Sequence, residues 1–485
     1  MRLTATPMPS DMSFGIDMTS EGMTDEIAAP LLDTVVAIST PPGKGGVAVL
    51  RLTGPEAFAV ADRVFFPAAG VPLSAISPRR MTFGVVRDPA DGHAIDDVLA
   101  VRFAAPASFT GEDTVEISCH GGVLITRDVL EACLLAGARQ ALPGEFTRRA
   151  FLSGKLDLTA AEALGNLLDA GNEGQVRLAR AGMSGLLSDR TEQIYRELCG
   201  VLANLEVGMD FPEEDLSEMS RDELLAATEA AARQVDSLLA TYRTGHAIAE
   251  GIPTVLCGRP NVGKSALYNR LLGRDAAIVT PIAGTTRDVL TDTVTLGGVT
   301  LRLSDTAGLH DTADPIEQMG VDRARRALEE AELVLFLSDG TDPAADEALY
   351  REIAAAAAHA CILSVRTKCD LNTDVHVTTP ANALPVSSLT GEGMDALEAA
   401  VRDAFIDGGL ETAENAVVFS ARQAAALRGA RDALETAMDG LRAGLPYDLV
   451  ADDMRAALLP LASLSGYEAR EDVIHEIFAR FCVGK

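Results

Sequence analysis

The chain has 485 residues, enough at about 150 residues per domain for roughly three separate cores. Apolar residues make up 47% and charged residues 23%, which excludes a disordered or fibrous chain. A formal net charge of −30 repels phosphate backbones at long range and excludes a general nucleic-acid binder, so any RNA contact must be local or delegated to a partner.

In chain order, residues 1–32 read as a poorly ordered leader, with Met8, Met12, Met18 and Met23 punctuating a stretch without periodicity. A misassigned start codon accounts for that stretch too. Asp11, Asp17 and Glu21 stand where a secretion signal needs basic residues, and no run approaches the roughly 18 apolar residues of a membrane span. A cytoplasmic chain without a membrane partner is expected.

From Asp33, short β-like runs (DTVVAIS, GVAVLRL, MTFGVV, DDVLAVRF, DTVEISC) are separated by Pro/Gly turns, predicting an α+β domain over 33–150. Residues 151–246 carry helical spacing, interrupted at Phe211-Pro212, where proline ends a helix. Strand-like runs (PTVLCG, VTLRLSD, ELVLFLSD, ACILSVR) then alternate with helices over 247–408, predicting a parallel sheet covered on both faces. Helical periodicity resumes over 409–485. The simplest topology inserts the α/β unit into a discontinuous helical domain. Seven scattered cysteines without a C-x-x-C pair suggest neither a zinc site nor a disulfide framework and fit a reducing compartment.

The strongest chemical signal is Gly258-Arg259-Pro260-Asn261-Val262-Gly263-Lys264-Ser265, a G-x-x-x-x-G-K-S loop between a strand and the helix beginning at Ala266. Its glycines let backbone N–H groups face phosphates, Lys264 supplies charge to the β and γ groups, and the Ser265 hydroxyl can ligate Mg²⁺. Asp305-Thr306-Ala307-Gly308 ends a strand, putting a carboxylate near the metal and the Gly308 amide near a γ-phosphate. Between them, Gly284-Thr285-Thr286-Arg287-Asp288 offers Thr286 as a second Mg²⁺ ligand. Asp370, in Thr367-Lys368-Cys369-Asp370, can accept from the two guanine N–H donors, and Ser387-Ser388 can add a backbone amide. In that order, the four elements favour GTP over ATP.

GRPNVGKS, GTTRD, DTAG and TKCD resemble the four main motifs of the translation-factor-related GTPases, except that Thr367 stands where Asn is usual. The resemblance extends the nucleotide contacts to Thr280, Pro281, Ile282, Ala283 and Leu389. Ras-like enzymes orient the attacking water with a glutamine after DTAG, whereas this chain has Leu309. Glu317 is a candidate to position water, although a solvated Glu at a helix start accounts for the residue alone. Asn261 suits either a turn or a monovalent-cation site, and Arg287 is the rival source of positive charge.

The flanks narrow the resemblance. Residues 33–54, 108–122, 143–166, DFPEED at 210–215 and the terminal FCVGK are similar to the MnmE (TrmE) family of tRNA modification GTPases. That resemblance implies an N-terminal tetrahydrofolate-binding-like α+β domain, a discontinuous helical domain and an inserted Ras-like P-loop GTPase domain. It implies a homodimer that joins the FAD protein MnmG (GidA) in a heterotetramer or larger complex. Together they place a carboxymethylaminomethyl-type group on carbon 5 of the wobble uridine of certain tRNAs. It further implies K⁺ held by Asn261, Thr280, Ile282 and Thr285, Mg²⁺ held by Ser265 and Thr286, and Glu317 as the catalytic residue. A 5-formyltetrahydrofolate or related one-carbon folate would meet Arg51, Glu116, Lys155 and Lys485. From the residues alone, Arg51 and Lys155 are equally compatible with surface charge. Cys482 is a candidate modification residue or a small apolar anchor, and His120 reads as a turn residue. A ribosome-assembly GTPase docking rRNA, or an aminomethyl carrier using GTP as a structural ligand, are the alternatives; the first would need a basic RNA-binding appendage that the acidic C-terminal helices do not provide.

Overall fold

The computed structural model describes residues 33–210, 219–274, 292–304, 327–371, 383–406, 416–466, 471–479 and 481–484. They belong to two compact units, one formed by the chain up to Lys155 together with 471–485, the other by 156–470.

In the first unit, strands β1 (Val35–Ile38), β2 (Ala48–Thr53), β3 (Phe65–Pro67), β4 (Thr82–Arg87), β5 (Ala94–Phe103), β6 (Thr114–Cys119) and β7 (Arg139–Gln140) form one sheet in the order β3-β4-β5-β6-β2-β1-β7. All pairings are antiparallel except β1 with β7. Period-two alternation sends Leu50, Leu52, Val98, Val115 and Ile117 to one face. There they pack on helices α1 (Ala57–Val64) and α2 (Val123–Leu135) through Val60, Val64 and Val129. Val35 and Ala37 point the other way, onto Phe146 of α3 (Glu145–Leu152).

The last helix, Glu471–Ala479, packs beside α3, where the Phe478 ring lies 6.0 Å from Phe151 and 6.0 Å from Phe481. Val483 bridges Pro143, and the Gly144 N–H donates to the Cys482 carbonyl at 3.4 Å. This segment clusters with the first unit, whereas helical spacing alone groups it with the rest of 409–485. Periodicity reports that a helix has an apolar face, not which core receives it.

The second unit begins with α4 (Leu158–Asp169), α5 (Glu173–Gly182), α6 (Leu186–Asp210), α7 (Arg221–Ala240) and α8 (Tyr242–Ala249). Next come β8 (Ile252–Gly258), α9 (Lys264–Arg274), β9 (Asp292–Leu296), β10 (Val299–Ser304), β11 (Leu333–Ser338), α10 (Pro343–Ala356), β12 (Cys361–Arg366), β13 (Leu384–Pro385) and α11 (Met394–Phe405). It ends with α12 (Ala421–Ala443) and α13 (Tyr447–Ser465). The α/β segment thus interrupts a bundle whose core joins Leu198, Leu224 and Val235 to Leu427, Leu434 and Met454. Capping boxes at Ser220 and Ser420 start α7 and α12.

The six-stranded sheet has the order β13-β12-β11-β8-β10-β9. Leu333, Leu335 and Leu337 of β11 enter one core and Val334 and Phe336 the other, as expected for a strand covered on both faces. The wholly parallel expectation is corrected at β9, which runs antiparallel to β10. Gly297 and Gly298, both at positive φ, make a tight hairpin in place of the crossover helix that a parallel pair would need. The Phe211-Pro212 break lies outside the described residues. Among the described residues, no helix is long and apolar enough to cross a membrane.

Candidate functional site

Strand β8 runs into the phosphate loop at Gly258, whose φ is +149°, and a Cβ there would lie 2.3 Å from the Leu337 carbonyl oxygen. Only glycine passes this close to the neighbouring strand. Asn261 and Gly263 also adopt positive φ, and Val262 is buried between them. Lys264, Ser265 and Ala266 open α9. The Lys264 ammonium donates to the carbonyls of Gly258 at 2.7 Å and Arg259 at 2.9 Å, so it closes a ring over the loop that anionic oxygens can replace. Burial lowers its pKa, and a bound phosphate would offset that penalty. Arg259 points away, donating to buried Asp346 of α10 at 2.5 Å and to the Thr341 hydroxyl at 3.1 Å.

The second loop follows β12. Buried Thr367 donates its hydroxyl to the Val262 carbonyl and lies 3.2 Å from the Ser338 carbonyl. The threonine that replaces the usual asparagine therefore still ties this loop to the phosphate loop. Lys368 adds a second tie, its ammonium reaching the Asn261 carbonyl at 2.7 Å and the Asp339 carboxylate at 2.9 Å. Burial pushes the Asp339 carboxyl up, but hydrogen bonds from Thr341 and Lys368 outweigh it and hold the pKa down at about 2. Cys369 and Asp370 form a short 3-10 turn. Ser387 is buried, its hydroxyl accepting from the Thr390 N–H at 3.1 Å, while Leu389 beyond Ser388 is exposed. The structure thus brings 258–266 and 367–370 together. Thr280, Pro281, Ile282, Ala283, Gly284, Thr285, Thr286, Arg287, Asp305, Thr306, Ala307, Gly308, Glu317 and Lys485 lie outside the described residues.

In the first unit, Arg51 and Glu116 face each other across β2 and β6 and form an ion pair at 2.8 Å. The Arg51 guanidinium lies 5.6 Å from the Phe109 ring and 5.7 Å from Phe146. Lys155 is exposed, with its stem near Gly111, and Cys482 is exposed on the terminal segment.

Two family descriptions cover nearly all of the chain: "GTP-binding protein TrmE N-terminus" matches residues 34–155 and "MnmE helical domain" matches 158–482. A relative from Symbiobacterium thermophilum, named tRNA modification GTPase MnmE, is 44% identical over 93% of this chain and 99% of its own length. The chain belongs to the MnmE family. The MnmE proteins of Lacticaseibacillus paracasei and Moorella thermoacetica are 40% and 41% identical, again over 93% of this chain and 98% and 99% of theirs. Among solved structures, Aquifex aeolicus Era aligns over 37% of this chain and 65% of its own at 27% identity, with a TM-score of 0.26.

In this MnmE-family chain Arg149, an arginine only 1% exposed on α3, is not among the candidate site residues read from the sequence. It bonds the carboxylates of Asp33 at 2.7 Å, Glu145 at 2.9 Å and Glu112 at 3.2 Å. Burial pulls its pKa down, but the Glu145 bond and the Glu112 charge reverse the shift. The available signal was the i,i+4 spacing of Glu145 and Arg149 beside Phe146 and Ala150.

Proposed function

We propose that this MnmE-family chain is a GTP hydrolase acting in tRNA modification. The observation that carries the reading is the pairing of the phosphate loop with the Thr367–Asp370 loop through Thr367 and Lys368. One loop offers an amide cradle and a lysine for a triphosphate, and the other a carboxylate for guanine. The donor chemistry fits the group: among the described residues, Lys264 donates to its own loop's carbonyls, and Ser265 begins the helix.

On this reading Ser265 and Thr286 hold Mg²⁺, which neutralises phosphate charge. Asn261, Thr280, Ile282 and Thr285 hold K⁺, and Glu317 positions water. The first unit is a tetrahydrofolate-binding-like dimerisation domain. Arg51, Glu116, Lys155 and Lys485 meet a one-carbon folate such as 5-formyltetrahydrofolate, which supplies the added carbon. Glu116 has carboxylate oxygens for ring N–H donors and Phe109 an exposed ring beside them, which suits a pterin. The chain works as a homodimer with MnmG and forms a carboxymethylaminomethyl-type group at carbon 5 of the wobble uridine, with Cys482 a candidate participant.

Nucleoside mass spectrometry of tRNA from a strain lacking the chain tests the reading. Hypomodified wobble uridines are expected, and unchanged ones reject it. Faster GTP turnover in KCl than in NaCl is expected of the K⁺ site, and equal rates reject that part alone.

A further inference from the structure

The end of the first unit's sheet where β6 finishes carries a feature that the nucleotide and folate readings leave unused. His120 follows β6, and Asp96 of β5 holds it at two points. One carboxylate oxygen accepts the His120 backbone N–H at 2.8 Å, and the other lies 2.7 Å from Nδ1. Asp96 is 9% exposed, whereas the His120 ring is 65% exposed. A carboxylate fixed in this way engages Nδ1 and leaves Nε2 facing outward.

His93 provides an internal contrast. It also meets a carboxylate, Asp91 at 2.6 Å, but both side chains are exposed and the partners are two residues apart in one turn. The pairing of His120 with Asp96 spans 24 residues and two strands and is anchored on the buried side.

Gly121 lies so close to the loop before β2 that a Cβ would sit 2.5 Å from the Gly45 carbonyl oxygen, and Gly45 donates to the Gly121 carbonyl at 2.9 Å. Val47, one residue outside the paired Ala48 and Cys119, is 62% exposed; Val123 and Leu124, at the start of α2, are 60% and 63% exposed. Of the charged groups, Asp96 contacts His120; Asp97 follows it on β5, Lys44 precedes Gly45 in the glycine loop, and Arg127 and Asp128 of α2 pair with each other.

We propose that His120 Nε2 is a proton-transfer site for a planar heterocycle bearing an acidic N–H, with Asp96 as its positioning residue. Val47, exposed beside the end of β6, offers apolar surface to the ring. Nε2 takes the N–H proton, the electron pair stays on the ligand nitrogen and makes it nucleophilic, and Asp96 offsets the imidazolium charge. Reversal returns the proton. The proposal rests on the modification reading above. Pyrimidine rings carry such an N–H; the pterin, seated at Glu116 on the reading above, is the comparison ring.

The test uses full-length protein with ¹⁵N-labelled histidine. Nε2 of His120 is expected as the unprotonated nitrogen, and Asp96→Asn is expected to shift the population toward the other tautomer. Nε2 should move on adding either 5-formyltetrahydrofolate or a uridine-containing anticodon stem-loop, and the one that moves it names the ring. No response to either overturns the proposal. In cells, His120→Gln is expected to cut wobble modification at least tenfold and Asp96→Asn to shift its pH profile, with the first unit's own thermal unfolding transition as the folding control. Modification by His120→Gln at the wild-type rate overturns the proposal and leaves the reading intact. Failure of the wild-type chain to restore modification overturns both.

Discussion

Thr367 shows how much one hydroxyl can carry. Replacing it by valine keeps the volume but leaves the buried Val262 carbonyl without its donor, a loss of about 1–3 kcal/mol. Thr367→Val should weaken GTP and GDP alike, by about tenfold, because both share the base and the phosphate loop; paired titrations check this. Asp339 supports the same junction through Lys368. Its carboxyl ionises more readily folded, at about 2, than at the ordinary 3.8. The stabilisation is therefore complete above about pH 4 and lost as pH falls toward 2, worth about 2 kcal/mol. Asp339→Asn should flatten acid unfolding in that window, measured by denaturant midpoints across pH. Which atoms these side chains meet was not legible in the sequence. Thr367 and Val262 are 105 positions apart, and a K-x-D pattern does not say where its lysine points.

At the scale of elements, the sequence was most informative where a pattern is local. The nine strand runs predicted from periodicity correspond to β1, β2, β4, β5, β6, β8, β10, β11 and β12. Strands β3, β7 and β13 escaped because two or three residues are too few to show alternation, and β9 because its identity rests on a hairpin with β10. Gly393 marks another unannounced constraint. It precedes α11 at φ +77°, and an added Cβ would fall 1.8 Å from the Pro385 carbonyl oxygen. Gly154 has a similar φ of +69° with open space around it. Gly393→Ala should therefore cost well over the roughly 1–2 kcal/mol of the left-handed conformation, and Gly154→Ala only about that amount. Thermal unfolding of the two variants compares them.

For the whole molecule, the insertion of an α/β segment into a helical bundle was legible because the hydrophobic period changes twice along the chain. The membership of the last helix was not, since its apolar face fits either neighbour by pattern. Phe478 and Phe481 are 2% and 6% exposed within the first unit. Deleting residues 471–485 should lower that unit's unfolding temperature and leave the second unit's transition in place, read by differential scanning calorimetry. Each lost aromatic anchor is worth about 1.5–3 kcal/mol. The bridge from Val483 to Pro143 also sets an order of events during synthesis. The part of the protein that emerges first from the ribosome waits for about 300 further residues before its closing segment arrives. Its unfinished surface must be tolerated through most of translation.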